Sequence, residues 1–346
     1  MSAAALYAPG APRGAAVGAG PFGDVRGGAP LGVLLHQHTP AAPGSPGTPV
    51  PYPAYERHLR ALARRGRTGG GALGELVVHA ARRAADLLRE CHETSGGAHG
   101  YVCAAVPVRL AHDPRAVRAG ARALRDAVGR PNLMIRVPAT DPGLAAITAC
   151  LAEGIGVHAG PVVSLERYAR LTDALLTGWE RAAAAGHDLA AVPVAVSLPV
   201  RGLDIGGGQG TGPAGRSPAA ATVQLAHRMR EEIHQGPRWR ALARQGAHPH
   251  RLLWDPVAGT SPQERSAAGA GAGADAGPVP GARPGPGFGE DPAWAWRVLE
   301  ELSRHGVCYR TLAADAERAA LARAARQERS VARTVAAALA EAATGH

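Results

Sequence analysis

The sequence predicts an α/β fold in which short parallel strands alternate with amphipathic helices. Six short apolar runs have the length and composition of buried strands, and they cover residues 32–35, 101–106, 133–137, 155–163, 192–198 and 251–254. Between them, apolar residues recur at helical spacing. Alternating strands and helices form βαβ units and therefore a parallel sheet. The pattern alone is compatible with both a closed barrel and an open, doubly wound sheet.

The predicted helices fill the intervals between these strands and the C-terminal part of the chain. They cover residues 54–65, 73–92, 113–128, 143–153, 165–185, 222–235, 237–245 and 294–343, the last with a break near Gly306. Three other segments carry no such periodicity. Residues 1–30 are rich in Ala, Gly and Pro and are predicted to be a disordered tail, which leaves 31–346 as the folded unit. Residues near 206–218 and 266–289 are predicted to be disordered insertions, because they bury too little apolar surface to offset the entropy of ordering.

All 38 basic residues counted as Lys or Arg are arginines, and none of the 346 residues is lysine. The formal net charge of +10 could indicate a nucleic-acid partner. However, the arginines are spread along amphipathic helices and no nucleic-acid motif accompanies them. We therefore expect a solvated helical surface and no nucleic-acid partner.

The four cysteines are widely separated and form no CxxC pair, so we expect neither a disulfide framework nor a metal cluster. No apolar run reaches transmembrane length, and the N-terminus lacks a basic-then-apolar signal pattern. These features predict a cytoplasmic protein without a membrane partner.

A series of short motifs runs through the predicted strands and helices. Residues 132–140 read NLMIRVPAT, residues 143–147 GLAAI and residues 164–168 SLERY; further motifs are RLAHD at 109–113, GPRW at 236–239 and RLLW at 251–254. Taken in chain order, the motifs resemble the transaldolase family, in its actinobacterial type, over about residues 52–260. A weaker match continues from Trp294 onward. The resemblance implies a TIM-type (β/α)8 barrel with its active site at the C-terminal ends of the strands.

The resemblance also implies a chemistry, and the sequence departs from it at the central position. Members of the family transfer a three-carbon dihydroxyacetone unit between sugar phosphates through a Schiff base on a lysine amine. The motif at 132–140 places Arg136 at this position. A guanidinium stays protonated and is a poor nucleophile, so Arg136 cannot form the iminium. We therefore expect no catalytic residue of the Schiff-base type in this chain.

Other positions that the resemblance assigns to catalysis are changed as well. The third-strand Glu and the Asp that follows it correspond to Ala105 and Pro107, and the second-strand Asn to about His36. The fifth-strand Asn and Thr correspond to His158 and Gly160. The first-strand Asp has no counterpart, and the eighth strand would fall in the Gly/Ala/Pro tract between residues 254 and 294. These two strands are neighbours in a closed barrel, so we expect the barrel to be degraded or open at this seam.

The remaining polar positions predict a binding site. Ser197 matches a sixth-strand serine that the family places near the substrate phosphate, and Arg201 lies one residue from the position of a family arginine, which falls at Gly202. Arg136, His36, His158, Ser197 and Arg201 could together hold a sugar phosphate. The alternative is that Arg136 is a drifted residue with its head in water or beside an acidic neighbour. No carboxylate or cysteine completes the histidines at ligand spacing, so neither a metal nor a cofactor is expected.

Three functional hypotheses follow from this reading. The first is a transaldolase-like pseudoenzyme of the pentose phosphate pathway family that binds a sugar phosphate or serves as an interaction subunit, with a homodimer or a pathway enzyme as partner. The second is an active transaldolase that transfers a dihydroxyacetone unit. The third is a lysine-independent enzyme in the same barrel, with His36 or His158 as general base.

Overall fold

A computed structural model of the chain describes residues 33–34, 53–67, 69–97, 99–203, 217–254 and 293–344. Within these residues six strands form one all-parallel sheet in the order β1 to β6. The strands are β1 Val33–Leu34, β2 Val102–Ala105, β3 Leu133–Val137, β4 Val157–Ala159, β5 Val194–Leu198 and β6 Arg251–Trp254. Each of the six predicted apolar runs contains one of them.

The strand order decides between the two architectures that the sequence pattern left open. A doubly wound sheet reverses its order at a switch point. Here every strand pairs with its neighbours in the chain and the order never reverses, which is the arrangement of consecutive strands in a β/α barrel. The proposed opening between the first and eighth strands concerns residues 1–32 and 255–292, which lie outside the described residues, as do the predicted tail and the insertion at 266–289.

The predicted helices are present, with two corrections. Their bounds are α1 Pro53–Arg64, α2 Gly69–Leu87, α3 Arg89–Thr94, α4 Pro114–Val128, α5 Asp141–Ala152, α6 Leu165–Ala184, α7 Pro218–Gln235, α8 Pro237–Ala243, α9 Ala293–Arg304 and α10 Tyr309–Thr344. The segment 73–92 was predicted as one helix but forms two, α2 and α3. Helix α7 begins about a turn before residue 222, inside the predicted break at 206–218. The reason is local: Ser217 accepts a hydrogen bond from the Ala220 amide, and Pro218 occupies the first helical position.

Side-chain caps start the helices that follow the strands. Asp113 accepts from the amides of Arg115 and Ala116 at the start of α4. Thr140 and Ser164 cap α5 and α6 in the same way. Because these polar residues satisfy amides that a helix leaves without partners, they fix where each helix leaves the sheet.

The apolar side chains on the two faces of the sheet form separate clusters. Side chains such as Val102, Ile135 and Val196 pack outward against the helices in the main core. A second cluster lies on the opposite, inner face and comprises Tyr101, Cys103, Met134, Ala195 and Leu253. Successive strand residues point to opposite faces. On each strand, the residues that alternate with the outward-packing ones therefore face inward.

Helix α10 is attached to the C-terminal ends of the strands by two carboxylates. Glu328 Oε2 accepts from the Val108 amide at 2.8 Å, just after β2. Glu317 Oε1 accepts from the amides of Val163 and Ser164 at 3.0 and 3.2 Å, in the loop after β4. The C-terminal half of α10 packs on α1 and α2 through a small cluster that contains Leu62 and Leu339. In the described part of the chain, no helix is both long and apolar enough to cross a membrane.

Candidate functional site

Three neighbouring strands place polar residues on the inner face of the sheet. Met134 and Ala195 belong to the inner cluster, so Arg136 on β3 and Ser197 on β5, two residues further on, face the same way. His158 lies between Val157 and Ala159, which both pack outward, and therefore also faces inward. Arg136 pairs with His158 in the β3–β4 register. The three side chains therefore lie together toward the C-terminal ends of their strands.

His158 and Ser197 are in direct contact. The ring nitrogen Nε2 of His158 lies 2.5 Å from Oγ of Ser197. His158 is completely buried, whereas Ser197 retains 7% of its exposure. The other ring nitrogen, Nδ1, makes no hydrogen bond within the described part of the chain. Buried polar atoms are nearly always paired, so Nδ1 is an exception to this rule among the described residues.

The electrostatics of the site keep His158 neutral. Burial lowers the pKa of His158 well below its usual value, and the Arg136 cation lowers it further. Arg136 itself is half-buried. Burial raises the pKa of the nearby Cys103 thiol to about 12, despite the opposing effects of Arg136 and Arg251. The site therefore holds a permanent cation, a neutral imidazole, a hydroxyl and an inert thiol.

Gly160 permits the close approach of β4 and β5 at this point. A Cβ atom at Gly160 would lie 3.0 Å from Ser197 Cβ and 3.1 Å from the Ser197 carbonyl oxygen. These distances are tighter than ordinary van der Waals contact, so a larger residue would push the strands apart. Sequence reasoning registered Gly160 only as the loss of a threonine; its role beside Ser197 depends on the packing.

Comparison with known proteins finds a family model that matches the part of the chain from α1 into β5. Residues 50–196 match the family described as transaldolase/fructose-6-phosphate aldolase. Over this part of its length the chain is similar to transaldolases. It is 41% identical over 216 residues to a transaldolase of Parafrankia sp. (strain EAN1pec), which covers 60% of this chain and 58% of that protein. It is also 41% identical over 220 residues to a transaldolase of Acidothermus cellulolyticus (61% of this chain, 58% of the relative).

A third relative extends the same pattern. Transaldolase 1 of Streptomyces avermitilis is 42% identical over 208 residues, 58% of this chain and 55% of the relative. The chain thus spans less than two thirds of the length of the curated relatives it matches. The family relationship confirms the predicted fold class, an α/β barrel of the TIM type.

The transaldolase comparison gives meaning to two small residues near the site. Ala105 pairs with Arg136 in the β2–β3 register and offers only a methyl group where the family resemblance assigns a glutamate. At Gly202, where it assigns an arginine, a Cβ atom would lie 3.1 Å from Ala316 of α10. A Cβ atom at position 202 would therefore be in tight contact with α10, although Gly202 itself is exposed.

Three of the five predicted site residues lie together, and two remain untested. Arg136, His158 and Ser197 share the inner face, as described above. Arg201 falls in the 3₁₀ turn Val200–Leu203 after β5, but its side chain is not among those described. His36 lies outside the described residues. Among the described residues, no group of three or more His, Cys, Asp or Glu side chains could hold a metal ion.

One buried polar cluster was missed by sequence reasoning. Residues 247–250 form a loop before β6. However, His250 is only 2% exposed, and its Nε2 lies 2.7 Å from the Tyr168 hydroxyl. Its ring also contacts His234 of α7, at a centroid distance of 5.0 Å. The alternation of His248, Pro249 and His250 before a strand gives no signal of this burial, because the covering residues come from α6 and α7.

Proposed function

We propose that this protein is a transaldolase-like barrel that binds a phosphorylated sugar and forms no Schiff base with it. The observation that carries the proposal is the cation of Arg136 on the inner face, at the position that the resemblance assigns to the catalytic lysine. A Schiff base needs an unprotonated amine, and a guanidinium does not supply one. None of the 346 residues of the sequence is lysine, so no neighbouring strand replaces it.

The chemistry of the remaining groups supports a phosphorylated ligand. A guanidinium donates two parallel hydrogen bonds to phosphate oxygens. The hydroxyl of Ser197 can donate to and accept from a sugar hydroxyl, and His158 holds this hydroxyl in place through Nε2. Ala105, Pro107 and Gly160 contribute no proton-transfer group, which favours binding over aldol chemistry.

Reductive trapping tests the chemical half of the proposal. The full chain is incubated with fructose 6-phosphate and borohydride, and its mass is measured. We expect no adduct on an internal residue, whereas a lysine-dependent transaldolase treated in parallel should gain the mass of the reduced sugar. A stable adduct inside the barrel of this protein would show that Schiff-base chemistry persists, and it would favour the alternative of an active transaldolase.

Thermal unfolding tests the binding half. At ligand concentrations about 100 times the dissociation constant, a specific ligand should stabilise the protein by roughly 2.7 kcal/mol. We expect fructose 6-phosphate to raise the melting temperature more than fructose or inorganic phosphate does. Arg136→Met should abolish the shift, and Arg323→Met, on the exposed face of α10, should preserve it. No shift with any sugar phosphate would contradict the proposal.

A lysine-independent enzyme is the second candidate, and the 2.5 Å contact between His158 and Ser197 favours it. A cytoplasmic location and a homodimer or pathway-enzyme partner stay predictions from the sequence.

A further inference from the structure

The contact between Ser197 and His158 is suited to nucleophilic catalysis, which ligand binding alone does not require. Nε2 of His158 lies 2.5 Å from Ser197 Oγ, and burial leaves the imidazole neutral at pH 7. A neutral imidazole in this position makes a serine nucleophilic, because it takes the hydroxyl proton as the oxygen attacks. We infer that Ser197 is a nucleophile with His158 as its general base, and that the pair hydrolyses esters whose acid portion carries a second, anionic group.

The exposure of the two side chains fits these roles. Ser197 retains 7% of its exposure while His158 has none, so the serine is the member of the pair that lies nearer to solvent. Gly160 allows the arrangement, since a Cβ atom there would lie 3.0 Å from Ser197 Cβ. Gly160 is therefore a positioning residue for the pair.

The reaction balances with water as the only co-reactant. Oγ of Ser197 bonds to the carbonyl carbon of the ester while its proton passes to Nε2 of His158. The bond from the carbonyl carbon to the alcohol oxygen breaks, and the departing alcohol takes the proton from Nε2. Water then attacks the acyl-serine, giving its proton to Nε2. The acyl bond to Oγ breaks, Oγ recovers the proton, and the carboxylic acid leaves.

Arg136 is the reason to expect an anionic substrate. Its guanidinium opposes a second positive charge on His158, so the pair alone would be a weak base. A carboxylate or phosphate group bound to Arg136 offsets this repulsion and allows His158 to accept the proton. This step rests on the proposed function, because it takes the same guanidinium to be the anion-binding group.

Two fluorophosphonates of equal chain length provide the test, one ending in a carboxylate and the other in its methyl ester. Each phosphonylates an activated serine with loss of fluoride. We expect the carboxylate probe to label the full-length protein at Ser197, as located by peptide mass spectrometry. It should react at least about tenfold faster than the methyl ester, because a charge-assisted contact holds it. A folded protein without label at Ser197, or equal rates for the two probes, would overturn the inference.

Variants assign the roles. Ser197→Ala should abolish labelling, and His158→Gln should slow it by about 100-fold, the lower range for loss of a general base. Arg136→Met should remove the preference for the carboxylate probe. His227→Gln is the matched control, because His227 is similarly buried at 6% exposure but lies on α7 outside the sheet. Melting curves establish that each variant is folded. Labelling of His158→Gln at the native rate would exclude His158 as the base.

The outcomes separate this inference from the proposed function. Binding of fructose 6-phosphate with an unreactive Ser197 would contradict the assignment of Ser197 as a nucleophile. The proposed sugar-phosphate-binding function would remain supported. Labelling of Ser197 without a thermal shift from any sugar phosphate would support the nucleophile and contradict the sugar-phosphate ligand.

Discussion

At the scale of single residues, burial divides the four cysteines into distinct chemical classes. Cys103 and Cys150 are buried, and burial raises the pKa of each thiol to about 12. Cys91 is half-buried, and burial raises the pKa of its thiol as well. Cys308 is exposed just before α10, and hydrogen bonds from Thr311 and Arg310 lower the pKa of its thiol. Because the thiolate is the reactive form, only Cys308 combines exposure with an enlarged thiolate fraction.

Alkylation of the native protein should therefore be selective. We expect iodoacetamide at pH 7 to modify Cys308 first and Cys91 more slowly, while Cys103 and Cys150 react only after unfolding. Peptide mass spectrometry at successive times measures the order. Cys308→Ser should remove the fast phase, and a fast phase that survives in this variant would contradict the assignment.

The candidate site also belongs to the scale of single residues, and the sequence predicted only some of its features. The strand motif predicted Arg136 at the lysine position, and the match of its strand to a family serine predicted Ser197. It did not foresee that His158 reaches Ser197, because the two are 39 residues apart. Their contact depends on the close approach of β4 and β5, which Gly160 permits.

At the scale of elements, glycines determine how closely helices approach. Gly178 of α6 faces α5, where a Cβ atom would lie 2.7 Å from Leu151 Cβ. Gly74 of α2 has no heavy atom within 4 Å of the same position. Both glycines lie within helices, but only at Gly178 does the neighbouring helix leave no room for a side chain.

The two glycines should therefore respond oppositely to alanine. Gly178→Ala overpacks the α5–α6 contact and should lower the free energy of unfolding by about 1–3 kcal/mol. Gly74→Ala should raise it by about 0.5–1 kcal/mol, because alanine restricts the unfolded chain and favours helix. Urea denaturation of both variants measures the difference. Equal effects would mean that α5 and α6 pack less closely than described.

A second feature of element scale is the buried histidine cluster between α6, α7 and β6, formed by His227, His234 and His250. Burial, together with the nearby Arg230 cation, lowers the pKa of His227 to about 4 and that of His234 to about 3. The pKa of His250 is also lowered by burial and by the other charged groups. The Tyr168 hydroxyl is hydrogen-bonded to His250.

This cluster should make the protein acid-sensitive. Folded pKa values below the unfolded value of 6.5 mean that the unfolded chain binds protons first. Stability is therefore complete above pH 6.5 and falls as the pH decreases toward 4 and 3. His227 alone should cost roughly 2 kcal/mol at pH 5. Urea midpoints at pH 7.5 and 5 measure the loss, and His227→Gln should reduce it. An unchanged pH dependence in that variant would contradict the assignment.

At the scale of the whole molecule, α10 ties distant parts of the chain together. Glu317 and Glu328 accept backbone hydrogen bonds from the loops after β4 and β2, and Val335 and Leu339 pack on α1 and α2. One C-terminal helix thus contacts the strand ends near the candidate site and the first helices of the chain. Its removal would expose amides at both loops.

Loss of one carboxylate should loosen this attachment. Glu317→Ala leaves the amides of Val163 and Ser164 without their acceptor and should lower the free energy of unfolding by about 1–3 kcal/mol. Hydrogen exchange at these two amides should accelerate more than elsewhere. Glu300→Ala, which breaks only an exposed pair with Arg304, should cost less than about 0.5 kcal/mol. Unchanged exchange at 163 and 164 would show that Glu317 does not hold the loop.

The sequence by itself determined the elements and the limits of the chemistry. Strand and helix positions follow from local periodicity and caps such as Asp113 and Ser164, and the absence of lysine predicts that the family's Schiff base does not form. Tertiary structure decided what local patterns do not encode. It oriented Arg136, His158 and Ser197 onto one face, brought His158 to Ser197, and buried His250 beneath helices from another part of the chain. These contacts join residues far apart in sequence, so they depend on strand register and helix packing, which no local pattern contains.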